Sequence, residues 1–234
     1  MERFWNARAR EDAFYFVDNR QAYRKPEAEA FWARGEEELD LLLGVLGVCV
    51  APQDVVVDVG CGVGRLTRVL AARAREVWAL DVSEGLRRDA RARPRPINRG
   101  LGNVRWTHGD GTFLTGIPDA FADACVSHVV FQHLPDPVIA LGYVREMGRV
   151  LRPGGWAAFQ VSNDPALHSP TPGRRLRSLV RRAPRGQADP SWVGSAVDLD
   201  DLRAAAADGG LVVERIEGAG TQFCLVLARR SAPA

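Results

Sequence analysis

A chain of 234 residues, 46% hydrophobic and 26% charged, can bury one sizeable core, and a single elaborated domain is its simplest organisation. A net charge of +2 excludes the global basic field that draws a protein to nucleic acid, and no DNA partner is expected; Lys25, the lone lysine among 31 basic residues, points to coding bias rather than to phosphate-binding forks. No apolar run reaches the roughly 18 residues of a membrane span, and Met-Glu-Arg-Phe-Trp-Asn at the start is not signal-like, so a cytoplasmic protein without a membrane partner is expected.

The first stretch, to about Val50, reads as helical and aromatic, with Phe4, Trp5, Phe14, Tyr15, Phe16, Tyr23, Phe31 and Trp32. These rings either staple helices to a core or form a lid over a ligand. Glu36 to Leu46 then carries leucines suited to packing a helix on a sheet. Residues 54 to 64 form a Val-rich run that breaks into Gly60, Gly62 and Gly64, the pattern of a buried strand turning sharply into a helix near Arg65. Glycine opens backbone angles closed to other residues and lets a ligand approach the main chain, so the loop is either a ligand cradle or a device for tight strand-to-helix packing.

After the helix Leu66 to Arg75, a second apolar run, Val77-Trp78-Ala79-Leu80, ends in Asp81. Ligands of open parallel sheets sit beyond the carboxyl ends of the strands, which sets Asp81 beside the glycine turn. A carboxylate there accepts hydrogen bonds from both hydroxyls of a ribose, which predicts a nucleoside-containing ligand. Strand and helix patterns alternate from Asp54 to Ser162, as parallel βαβ units do. Asp164 to Val197 breaks the rhythm with Pro, Gly and Arg, including Arg174, Arg175, Arg177, Arg181, Arg182 and Arg185. Asp198 reads as the N-cap of a helix through Ala207 that Gly209 and Gly210 end, and Leu211 to Glu217 with Thr221 to Ala228 read as an antiparallel hairpin.

Glycine spacing separates the ligand classes. A dinucleotide site has G-x-G-x-x-G, whereas here the third glycine falls two positions after the second and Arg65 occupies the dinucleotide position. The run Asp58-Val59-Gly60-Cys61-Gly62-Val63-Gly64 instead resembles the first motif of class I S-adenosylmethionine-dependent methyltransferases. The resemblance continues through Asp81, His108-Gly109-Asp110-Gly111, the stretch from Ala122 to Asp136, and Glu146 to Gly155.

It implies a Rossmann-like, doubly wound α/β fold whose seven-stranded sheet is mostly parallel, with an antiparallel C-terminal hairpin and an N-terminal helical cap. The single domain would comprise the cap (1–50), a cofactor-binding βαβ core (54–163), an irregular Arg-rich insertion (164–197) and a closing helix and hairpin (198–234). The implied cofactor is S-adenosylmethionine, leaving as S-adenosylhomocysteine, and the implied reaction is in-line methyl displacement onto an O, N or C nucleophile of a small-molecule acceptor. Such chemistry asks the protein mainly for alignment and exclusion of water.

On the resemblance, Gly60 and Gly62 expose backbone groups to the amino-acid portion, Asp58 supports that loop or its water contacts, Asp81 takes the ribose and Asp110 the adenine, with Cys61, Val82 and Gly111 also cofactor-binding, while Ser127 and His128 line the transfer cleft. His133 is the candidate general base, against a structural hydrogen-bonding role in the same loop. His108 is expected to pack within its strand, and His168 lies in the irregular region. The Arg174–Arg185 segment is either a mobile cap favouring an anionic acceptor or a solvated surface. Cys49, Cys61, Cys125 and Cys224 are widely spaced and read as buried free thiols, and no metal site is expected. An RNA or protein methyltransferase is the alternative function, although Ser127-His128-Val129-Val130 lacks the Pro-Pro-aromatic element of base-modifying amino-methyltransferases. A non-methylating nucleotide-binding protein, such as an NAD-dependent dehydrogenase, is the third reading.

Overall fold

The computed structural model describes residues 1–86, 101–168, 186 and 188–232. Seven strands form one sheet in the order β3-β2-β1-β4-β5-β7-β6. They are β1 (Val55–Val59), β2 (Glu76–Asp81), β3 (Val104–His108), β4 (Ala122–Ser127), β5 (Leu151–Val161), β6 (Leu211–Glu217) and β7 (Cys224–Arg230). The first five run parallel, and β7 pairs antiparallel with both β5 and β6. This is the doubly wound sheet with a closing hairpin that the sequence predicts.

All five residues of β1 are buried, as a parallel strand covered on both faces requires. One face packs on Leu39, Leu42, Leu43 and Leu46 of α2 (Ala28–Leu46) and on Leu66 and Leu70 of α3 (Arg65–Arg73). The other face packs on Tyr143, Val144 and Met147 of α4 (Pro137–Val150) and on Leu202 and Ala206 of α6 (Leu199–Asp208). Burying each of these large side chains contributes about 1.5–3 kcal/mol. A short helix, α5 (Pro190–Val193), lies between β5 and α6 in sequence. Asp198 caps α6 as predicted, accepting from the N–H groups of Asp200 and Asp201.

The N-terminal cap is two helices, α1 (Glu2–Val17) and α2. In α1 the helical path breaks at Asp12, whose carboxylate accepts the Tyr15 N–H and so starts a new turn. Phe14, Phe31 and Trp32 meet edge to face, with Phe14 and Phe31 centroids 4.5 Å apart, and pack on Val63 and Leu86.

Several local expectations are corrected. Glu146 to Gly155, which on the resemblance is the helix end and turn before the fifth strand, already contains the start of β5 at Leu151, because the register shift between Ala122 and Ala124 of its partner absorbs the turn as a bulge. β7 begins at Cys224 rather than Thr221, since Gly218 and Gly220 at positive φ extend the hairpin turn. Cys49 is exposed just past the end of α2, while Cys61, Cys125 and Cys224 are buried, and all four are free. His108 ends β3 but is exposed, as an edge strand allows. The Arg174–Arg185 segment lies outside the described residues. No helix among the described residues is long and apolar enough to cross a membrane.

Candidate functional site

Strand order reverses between β1 and β4, and their carboxyl ends open a crevice there. It is a pocket with a cavity volume of about 100 Å³. Its floor is the glycine loop, its sides are the ends of β2 and β4, and α1 covers it with Met1, Trp5 and Phe16.

Backbone bonds build the floor. The N–H groups of Gly60 and Cys61 both donate to the Leu80 carbonyl, at 2.7 and 3.0 Å, which pins the loop across to β2. Gly60 has φ +79°, and a Cβ there would overlap the Val130 side chain; Gly62 has φ +56°. The positive φ and the close approach are what only glycine supplies. Asp81 completes the floor: one carboxylate oxygen accepts the Gly62 N–H at 2.8 Å and the other accepts the Ser83 N–H at 2.7 Å. Asp58 reaches from β1 to α3, accepting the Thr67 hydroxyl at 2.6 Å. Burial raises its pKa to about 6, with Asp81 adding to the rise and Thr67 and Arg65 opposing it.

A second polar group, of which only His128 was expected at the site from the sequence, lies at the amino end of α3. Arg65 is 4% exposed, and its Nη1 meets Glu38 of α2 at 2.5 Å. Gly35, one turn earlier on α2, lets the two helices approach, since a Cβ there would lie 2.9 Å from the Arg65 carbonyl oxygen. Arg20 also pairs with Glu38, and Arg20 and Arg34 both bond Asp18. Burial pushes the Glu38 pKa up, but Arg65 and its other partners outweigh that and hold it low. His128 Nε2 lies 3.6 Å from the same carboxylate, and burial lowers its pKa to about 4. Arg65 Nε and His128 Nδ1 are buried without a hydrogen-bond partner, and both residues line the pocket. The Arg65 Nε–H is an orphaned donor suited to an acceptor-rich group such as a carboxylate, whereas the neutral His128 ring, with Nε2 toward Glu38, leaves Nδ1 as an unpartnered acceptor.

The opposite wall carries His133. Its Nδ1 lies 3.1 Å from the Trp192 carbonyl and its Nε2 lies 3.1 Å from the Gln132 amide nitrogen. The first contact requires Nδ1–H and the second a bare Nε2, which defines the neutral tautomer. Gln132 is oriented by Gln160, whose amide donates to the Gln132 oxygen at 3.0 Å while its own oxygen accepts the Val129 N–H at 2.9 Å. Burial lowers the His133 pKa to about 4, against the Trp192 carbonyl and with a small push from His168.

Among the other predicted residues, Cys61, Val82 and His128 line the pocket, as do Asp58, Gly60, Gly62, Asp81 and His133. Ser127, Asp110 and Gly111 stand outside that lining. Ser127 is fully buried and donates to the Val59 carbonyl at 2.9 Å, a tie between β4 and β1. Asp110 is exposed and caps its own turn, accepting from the Thr112 and Phe113 N–H groups at 2.8 Å. Gly111 lies under Met1, whose Cε is 2.7 Å from where a Cβ would stand. His168 bonds the Val193 carbonyl at 2.6 Å and the Ser162 hydroxyl at 2.7 Å, away from the pocket lining. Among the described residues, no group of three or more His, Cys, Asp or Glu side chains could hold a metal ion.

Residues 57–159 match a family model described as a methyltransferase domain. The chain is 34% identical over 198 residues to a trans-aconitate 2-methyltransferase of a Mycobacterium species, covering 82% of this chain and 71% of that protein. It is 34% identical over 108 residues to a malonyl-[acyl-carrier protein] O-methyltransferase of Serratia marcescens, covering 46% of this chain and 38% of the relative, so the chain spans well under half of that protein. Among solved structures, an S-adenosylmethionine-dependent methyltransferase from Mesorhizobium loti shares the fold with a TM-score of 0.61 at 21% identity, covering 82% of this chain and 97% of that one.

Proposed function

Since this chain belongs to the S-adenosylmethionine-dependent methyltransferases, we propose that its pocket binds that cofactor and directs methyl transfer to a small-molecule acceptor. The observation that carries the reading is Asp81, held at the tip of β2 against the Gly62 N–H, where a carboxylate faces the ribose of a nucleoside lying over the glycine loop. The residues present fit the group. Arg65, lining the pocket, offers a buried, unpartnered Nε–H to an amino-acid carboxylate, and the Asp81 carboxylate stands at the loop that lies under a nucleoside.

In this reading Asp81 and Val82 hold the ribose, and Asp110 and Gly111, which stand outside the pocket lining, mark the side toward which the adenine extends. Asp58, Gly60, Cys61 and Gly62 form the cradle of the amino-acid portion, with Arg65 at its carboxylate. Ser127 acts indirectly, by tying β4 to β1. When bound, S-adenosylmethionine supplies an electrophilic sulfonium methyl, and its sulfur keeps the bonding pair as the methyl leaves. The protein's own contribution is alignment beneath α1 and a dry cleft. His133 lines the cleft, but both of its ring nitrogens are already bonded, to the Trp192 carbonyl and the Gln132 amide, so in this reading it shapes the acceptor's surroundings rather than acting as the general base expected from the sequence. Calorimetry with S-adenosylhomocysteine and with NAD tests the reading: binding of the first and not the second is expected, and the reverse overturns it.

A further inference from the structure

Resting on that cofactor reading, we propose that the half of the pocket beneath α1 receives a flat, uncharged aromatic acceptor. The pocket is divided by chemistry. Asp58, Asp81, Arg65 and His128 gather around the glycine loop, on which Val17 and Val130 also pack, whereas Trp5, Phe16, His133 and Leu134 line the pocket elsewhere. Those four side chains are apolar or, for His133, a neutral ring.

The rings of the wall are joined through Trp192, which stands behind the lining. Trp5 meets His133 edge to face at 5.7 Å, His133 meets Trp192 at 5.4 Å, and Trp192 meets Phe16 edge to face at 5.4 Å. Such a run offers faces and edges at the spacing in which a further aromatic ring is favoured. Both imidazole nitrogens are already committed, to Trp192 and Gln132, so the ring is held as a surface rather than swung as a charge. Arg8 stands behind the wall, over the Phe4 and Phe16 rings at 5.4 and 5.1 Å, and is paired with Glu11 at 2.9 Å. Its charge is thus met within the cap. An ionised acceptor entering against these rings would shed its hydration without a compensating cation among the described residues of the wall.

The test uses the full chain saturated with S-adenosylhomocysteine and two probes, 2-naphthol and citrate, followed by calorimetry and ligand-observed NMR. Binding of 2-naphthol and none of citrate at equal concentration is expected. Trp5→Leu should weaken 2-naphthol about five-fold, the scale of one aromatic contact, and Trp5→Phe should recover most of the loss. Phe16→Leu, at the other end of the ring run, should show a similar loss, so that the outcome does not hang on one variant's folding. Preference for citrate, or 2-naphthol binding indifferent to both leucine variants, overturns the inference. Binding of S-adenosylhomocysteine without 2-naphthol removes this inference alone, whereas no S-adenosylhomocysteine binding removes the cofactor reading and this inference with it.

Discussion

The Asp81 carboxylate accepts the Gly62 N–H at 2.8 Å, a bond between the end of β2 and the loop after β1 that joins two motifs nineteen residues apart. One side chain therefore shapes the loop and presents charge to whatever lies above it. Asp81→Ala removes both functions. It should weaken S-adenosylhomocysteine by about 1.5–3 kcal/mol, the cost of a charge-assisted hydrogen bond, and lower thermal stability because the Gly62 and Ser83 donors lose their acceptor. Calorimetry on protein shown to be folded by circular dichroism reads the first effect; undiminished affinity would remove Asp81 from the site.

Gly60 gives a sharper steric test. At φ +79° an alanine is strained by about 1–2 kcal/mol, and its Cβ also strikes Val130. Gly60→Ala should lower both stability and cofactor affinity, and adding Val130→Ala should restore only the part due to overlap. Gly44, inside α2 with nothing within 4 Å of a Cβ, is the control: Gly44→Ala should stabilise by about 0.5–1 kcal/mol in urea unfolding. Equal damage at both positions would mean that the loop's geometry is not special.

What could be read from the sequence was local. The Val-rich β1, the glycine turn, Asp81 and the Asp198 cap are each written in a few consecutive residues whose physics is short-range. Arg65 was visible as the residue displacing a dinucleotide glycine, yet its pairing with Glu38 is a contact across 27 positions with no periodic signal. The same holds for Trp5 against His133 and for Gln160 orienting Gln132. Ser127 sat at the expected strand end, but the face its hydroxyl takes depends on β4 pairing with β1, which places the Val59 carbonyl within reach. His108 and Cys49 were expected to be buried from their neighbours' hydropathy; being at a sheet edge and beyond a helix end exposes them.

Arg65 allows the carboxylate receptor to be tested apart from the nucleoside site. Arg65→Lys keeps a cation for Glu38 but deletes the unpartnered Nε. S-adenosylhomocysteine affinity should fall by about 1.5–3 kcal/mol, the scale of a hydrogen bond to a charged group. Affinity for 5′-methylthioadenosine, which lacks the amino-acid portion, should stay the same. A matching loss for both ligands would assign Arg65 to the architecture of the pocket alone.

The buried titratable groups predict how stability responds to acid, and they pull in opposite directions. His128 and His133 have folded pKa values near 4 against 6.5 when unfolded, so their contribution is intact above pH 6.5 and is lost as pH falls toward 4, when the unfolded chain takes up protons the native state resists. Asp58 has a folded pKa near 6 against 3.8 unfolded, so the native state binds its proton first and gains stability as pH falls through 6 toward 3.8. Between pH 7 and 5 each histidine should cost roughly 2 kcal/mol and Asp58 should return roughly 1 kcal/mol. Urea unfolding at the two pH values should therefore show a net loss on acidification. His128→Gln should shrink that loss and Asp58→Asn should enlarge it. A His128→Gln protein with the same pH slope as the parent would mean that His128 titrates normally in the fold, and its placement as an unpartnered buried imidazole beside Glu38 would be wrong.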